Sequence, residues 1–83
     1  MIIKYFSWVR DLAETAEESI ELPESIHDVE GLINYLISKD KKYEKVFSKK
    51  ELIKIAVNKE YVNTSSKIYK NDEIAFFPPV TGG

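Results

Sequence analysis

Apolar and polar residues alternate at both ends of this chain and recur at helical spacing in its middle. In "IIKYFSWV" (2–9), Ile3, Tyr5 and Val9 fall on one alternating face and Ile2, Phe6 and Trp8 on the other. With so many β-branched and aromatic residues, this stretch predicts a strand. "VRDLAE" fits a single helical turn, and "ESIEL" (18–22) alternates Ile20 with Leu22 until Pro23 stops it, a second strand in a hairpin with the first. From Asp28 onward the period changes. Val29, Leu32, Ile33, Leu36 and Ile37 make one apolar stripe at i, i+3, i+4, i+7 and i+8, which predicts an amphipathic helix. Asp28 is its expected N-cap, Glu30 suits the positive end of the helix dipole, and Gly31 weakens the first turn slightly. "YEKVF" (43–47) fits a further helical turn, and "ELIKIAV" (51–57) predicts a third strand with Ile53, Ile55 and Val57 inward. "NTSSK" (63–67) reads as a loop, and Asn71-Asp72 as the turn that opens a last strand, "EIAFF".

The order β, β, α, β, β, with no repeat or low-complexity segment, predicts an α+β fold. The first and last strands are the most apolar and are expected as neighbours at the centre of a mixed sheet, with one main helix packed on one face. That arrangement is the β-grasp, or ubiquitin-like, fold. Its body is expected over residues 1–77, followed by an extended C-terminal tail, 78–83.

Composition narrows the function. A chain of 83 residues with 43% apolar content supports one modest core and one domain. It has no cysteine, so disulfides, zinc–thiolate sites and thiol nucleophiles are excluded, and a reducing compartment is expected, the cytoplasm by default. No apolar run approaches the roughly 20 residues that span a bilayer, and no signal-peptide pattern follows Met1. A net charge of −2 argues against general nucleic-acid binding. The charge is uneven, however. Residues 11–30 hold eight acids and no Lys or Arg, whereas residues 39–54 hold seven lysines against Asp40, Glu44 and Glu51. These are either solvated faces or an acidic surface that steers a basic partner.

Catalytic signals are weak. The single histidine, His27, sits beside the expected helix start as a surface or capping residue. No nucleophile–base pair stands out, the carboxylates lack metal-site spacing, and Ser65-Ser66 has no glycine-rich phosphate cradle. No metal and no cofactor is expected on this chain.

The chemistry concentrates at the end, "FFPPVTGG" (76–83). Alternation sends Ile74 and Phe76 to one face of the last strand and Ala75 and Phe77 to the other. A helix cannot cover both. Phe6 and Phe77, on neighbouring strands, then either form an exposed apolar patch suited to a partner or lie partly under loops. Pro78 and Pro79 cannot extend a sheet ladder and favour an extended stalk. Gly82 and Gly83 lack Cβ atoms, so they make the narrowest tail a polypeptide can offer, with a carboxylate at its tip.

The stretches "NDEIAFFPPVTGG", "VRDLAE" and "VNKEYV" resemble the small subunit of molybdopterin synthase, the sulfur carrier of molybdenum cofactor biosynthesis. The resemblance covers the whole chain in order and length, and the tail is its most specific part. It implies that an ATP-dependent activating enzyme adenylates the carboxylate of Gly83. A sulfur donor then displaces AMP, leaving a thiocarboxylate. Within a synthase of two small and two large subunits, the tail would enter the large subunit, with Gly82 allowing it to thread. Sulfur would pass to cyclic pyranopterin monophosphate. The resemblance places partner recognition on Phe6, Arg10, Tyr61 and Phe77, continued by Pro78, Pro79, Val80 and Thr81. Tyr61 departs in size from the aliphatic residue common at its position. ATP would belong to the activating enzyme, and the chain would not be catalytic alone. A sulfur carrier for thiamine thiazole synthesis, a ubiquitin-like modifier joined through Gly83, and a passive binding module are the alternatives.

Overall fold

A computed structural model describes residues 1–79 of the chain. Five strands, β1 (Ile2–Tyr5), β2 (Glu17–Ser19), β3 (Lys54–Val57), β4 (Glu60–Val62) and β5 (Glu73–Phe77), form one sheet in the order β2-β1-β5-β3-β4. β5 lies at the centre, parallel to β1 and antiparallel to β3. Three helices, α1 (Ser7–Ala13), α2 (Val29–Lys39) and α3 (Lys42–Phe47), and a 3₁₀ turn at Lys50–Leu52 complete the fold. The mixed sheet, the adjacency of the first and last strands and the principal helix are those of the expected β-grasp.

The start of α2 shows how the sequence secures it. The Asp28 carboxylate accepts the Gly31 N–H at 2.8 Å, the N-cap predicted from the sequence. The Val29 N–H donates to the Ser66 carbonyl at 3.1 Å and the Glu30 N–H to the Thr64 carbonyl at 2.9 Å. Backbone donors that a helix start leaves unpaired are thus satisfied by the cap and by the 63–67 loop, which gives that loop a structural reason to be where it is. The helix stripe is buried as its spacing requires: Val29, Leu32, Ile33 and Leu36 are in the core, and Ile37 packs partly buried against it. They share one cluster with Ile3, Tyr5, Ile55, Ile74 and Phe76. Phe76 is its aromatic centre, stacked on Tyr5 (centroids 5.9 Å apart) and edge-on to Phe47 (5.0 Å).

Four expectations are corrected. The first strand stops at Tyr5 rather than Val9. Ser7 adopts a left-handed φ of 56°, which no continuing strand permits, and the chain turns into α1. Trp8 therefore is not on the outer face of the sheet but on a helix, half-buried against the core. The second strand is shorter and earlier than 18–22, since Ile20 and Leu22 pack against the core beyond its end. The third begins at Lys54, after the 3₁₀ turn, with Ile53 buried ahead of it. Finally, β4 was not expected. Asn58 and Lys59, both with positive φ (50° and 72°), connect β3 to β4 as a two-residue hairpin turn.

Candidate functional site

β5 has two unlike sides. Ile74 and Phe76 point into the core and are fully buried, while Ala75 and Phe77 face away from it and are half-buried. Across the outward face, Ala75 pairs with Ala56 of β3, and Ala56 with Tyr61 of β4. Two small residues in the middle of the row leave its aromatic neighbours standing above them. Tyr61, 75% exposed, leans on Phe77 with ring centroids 5.5 Å apart. Both rings line a shallow groove with Lys54, Val62, Asn63 and Pro79. The chain leaves the sheet at this groove, because β5 ends at Phe77 and Pro78 and Pro79 follow outside any strand.

Phe6 and Arg10 stand on the other flank of β5. The Phe6 N–H donates to the Phe76 carbonyl at 3.1 Å, which fixes Phe6 beside the end of β5 with its side chain 48% exposed. Arg10 is one turn further along α1, exposed, its N–H donating to the Phe6 carbonyl at 3.3 Å. The structure thus brings Tyr61, Phe77 and Pro79 into one groove and sets Phe6 and Arg10 at the opposite edge of the same strand. Tyr61 belongs to β4, the strand that was not expected.

One asparagine ties this surface together. Its own N–H donates to the Glu73 carbonyl at 2.8 Å, and the Asn58 side chain donates to the Asp72 carboxylate at 2.9 Å and accepts the Glu73 N–H at 3.0 Å. The β3–β4 turn is thereby clipped to the start of β5. "VNKEYV" and "NDEIAFF" are in contact at that point.

A second polar cluster escaped the sequence reading. The hydroxyls of Tyr5 and Tyr43 both donate to Oε2 of Glu18, at 3.0 and 2.6 Å. Burial, followed by the Glu18 charge, pushes the Tyr5 phenol well above its ordinary value. Burial and the bond to Glu18 do the same to Tyr43. Glu18 belongs to the acidic run, so that run is not simply a solvated face. On the outward face, Lys4 and Glu73 form a 2.9 Å ion pair. It raises the lysine's pKa and lowers the glutamate's, each chiefly through their hydrogen bond. Both side chains are partly exposed, and such a pair adds little stability.

Val80, Thr81, Gly82 and Gly83, to which the resemblance assigns roles in the tail, lie outside the described residues. Among the described residues, no cluster of three or more His, Cys, Asp or Glu could hold a metal ion. No helix there is long and apolar enough to cross a membrane.

A β-grasp body whose central strand runs out beside exposed aromatics is the class of protein that fold and surface define. The chain belongs to the ThiS family, whose model matches residues 3–83. It is 32% identical over 81 residues to the molybdopterin synthase sulfur carrier subunit of Haemophilus influenzae, covering 98% of this chain and 96% of that protein. The protein of the same description in Escherichia coli is 31% identical with the same coverage. Among solved structures, a putative molybdopterin converting factor subunit 1 from Pyrococcus furiosus superposes with a TM-score of 0.75 at 35% identity, covering 95% of each chain. SAMP1 from Haloferax volcanii, at 24% identity, shares the fold with a TM-score of 0.77 over 100% of this chain and 98% of that one.

Proposed function

We propose that this chain is a sulfur carrier in molybdopterin biosynthesis, a subunit of molybdopterin synthase that is not catalytic alone. The observation that carries the reading is the likeness, over nearly the full length of both chains, to subunits of that description. The surface supports it, since Phe77 and Tyr61 stand beside the departure point of a tail that ends in Gly82 and Gly83. In this reading the large subunit grips Phe6, Arg10, Tyr61 and Phe77, and the segment Pro78 to Thr81 leads the tail into its active site. Gly82 passes where a side chain would not. Gly83 carries the chemistry.

A carboxylate is a poor electrophile because its charge is delocalised. An activating enzyme therefore spends ATP to place AMP on the Gly83 carboxylate, and a sulfur donor displaces that AMP to leave a thiocarboxylate. Its soft sulfur then attacks the pterin precursor. Two sulfurs are needed for each dithiolene, which suits a complex of two small and two large subunits. Activating enzyme and donor would share the compartment, in keeping with the cytoplasm.

The test is removal of Gly83. Its loss shortens the reach by at most about 3.6 Å, as large as the near-attack distance of about 3–3.5 Å. The shortened chain is expected to fold and bind the large subunit, yet to support little or no molybdopterin formation from cyclic pyranopterin monophosphate. Near-normal product would refute the carrier role of Gly83. Intact mass from cells would show one terminal oxygen replaced by sulfur, whereas adducts to partner lysines would support a modifier instead.

A further inference from the structure

A second apolar surface shares no lining residue with the Tyr61–Phe77 groove. Trp8 and Leu12, four residues apart on one face of α1, form one wall of a groove with a volume of about 660 Å³. Leu52 of the 3₁₀ turn closes the apolar part, and Glu44, Lys45, Ser48 and Lys49 of α3 and its C-terminal end form the other wall. Leu12 and Leu52 are 37% and 46% exposed, although Val9 and Ala13 of the same helix are fully buried. The core therefore does not account for Leu12 and Leu52, and it takes up only part of Trp8.

Charge on the polar wall points to an occupant. Lys45 and Lys49 line the groove, and Lys41, Lys42 and Lys50 belong to the same segment. Among the described residues, none of these lysines has a salt-bridge partner, the only such pair being Lys4–Glu73. Glu44 is the single acid in the lining. The lining comes from α1, α3 and the 3₁₀ turn with no strand among them, so there is no free sheet edge for an extended peptide to join. That favours an occupant that satisfies its own backbone, as a helix does.

We infer that the α1–α3 groove is a docking site for an acidic amphipathic helix of a partner protein, its apolar residues against Trp8, Leu12 and Leu52 and its carboxylates against Lys45 and Lys49. The inference does not depend on the sulfur-carrier reading. It would let one partner hold the body while another engages the Tyr61–Phe77 surface.

Trp8 is the sole tryptophan of the chain and lines the groove, so its fluorescence reports on this site. The probe is a helix-forming peptide of about fifteen residues with leucines at i, i+3 and i+7 and glutamates flanking them. A second peptide has lysines in place of the glutamates, and a third keeps the glutamates but replaces leucine by alanine. The first is expected to shift Trp8 emission saturably and to bind at least about tenfold tighter than either control at low salt, with the advantage shrinking as salt is added. Leu12→Ser with Leu52→Ser should weaken it about tenfold with only a small fall in melting temperature, both side chains being partly exposed in the free protein. Lys45→Glu with Lys49→Glu should reverse the charge preference. Equal binding of all three peptides, or no saturable shift, would overturn the inference. So would peptide-induced amide shifts confined to Tyr61 and Phe77. A Trp8 shift that grows with protein concentration in the absence of peptide would instead place a second copy of this chain in the groove.

Discussion

Phe76 and Phe77 are consecutive, chemically identical side chains on the central strand, and the fold gives them opposite work. Phe76 is fully buried, packed between Tyr5 and Phe47. Phe77 is half-buried, touching Tyr61 beside the exit of the tail. Identity of residue type therefore says nothing about role here. Strand parity decides it, by placing one phenylalanine in the core and its neighbour on the outward face.

The comparison is most easily broken by truncating each ring. Phe76→Ala should lower the unfolding free energy by about 3–5 kcal/mol, measured by denaturant or thermal unfolding, because it opens a cavity at the aromatic centre of the core. Phe77→Ala should cost less than about 1 kcal/mol of stability. In isothermal titration with the large subunit, however, it should weaken association by about 2 kcal/mol or more if Phe77 is a central anchor. A Phe77→Ala protein that unfolds readily while its folded fraction binds normally would make both rings core residues.

Asn58→Ala sharpens the distinction further, since it disturbs the outward face without touching the core. Two side-chain hydrogen bonds to Asp72 and Glu73 disappear, and alanine inherits a left-handed φ of 50°. A loss of about 1–2 kcal/mol is expected. Amide shifts should appear along β4, and a spectrum unchanged there would mean that the clip does not position Tyr61. The mildest probe is alkali. Free tyrosines titrate near about pH 10, and Tyr5 and Tyr43 are held above that value in the fold. The unfolded chain thus loses these protons first. Stability from the pair is complete below about pH 10 and falls as pH rises beyond it. Melting temperature against pH should show the decline, and Tyr43→Phe should blunt it.

Much of this was legible in the sequence. α2 announced itself through an uninterrupted stripe and a cap whose bond is local, and β5 through its opening turn and clean alternation. Other features depended on information that a pattern does not hold. Val9 continues the alternation of Ile3 and Tyr5, yet it also lies four residues from Ala13, and only the turn at Ser7 selects the helical spacing. β4 is three residues long and follows Asn-Lys, a weaker hairpin signal than Asn-Gly. That hid the strand under Tyr61. Glu18 looked like one more solvated acid because its partners, Tyr5 and Tyr43, are distant in sequence. The outward aromatic of β5, by contrast, followed from parity alone.

The pairing of β1 with β5 also sets an order of events. These strands come from opposite ends of the chain, and β5 fills the slot between β1 and β3. As the chain is synthesised from its N-terminus, β1 and every helix emerge while that slot is still empty. Ile3, Tyr5 and Leu36 then lack Ile74 and Phe76 as neighbours, so the sheet cannot close and the core is left open to water. Such non-local pairing delays folding until the last partner is available. A polypeptide interrupted before Phe76 lacks the centre of the core and is expected to be more sensitive to proteolysis than the full chain. Only molecules made through the strand that leads into the tail can offer Tyr61 and Phe77 side by side.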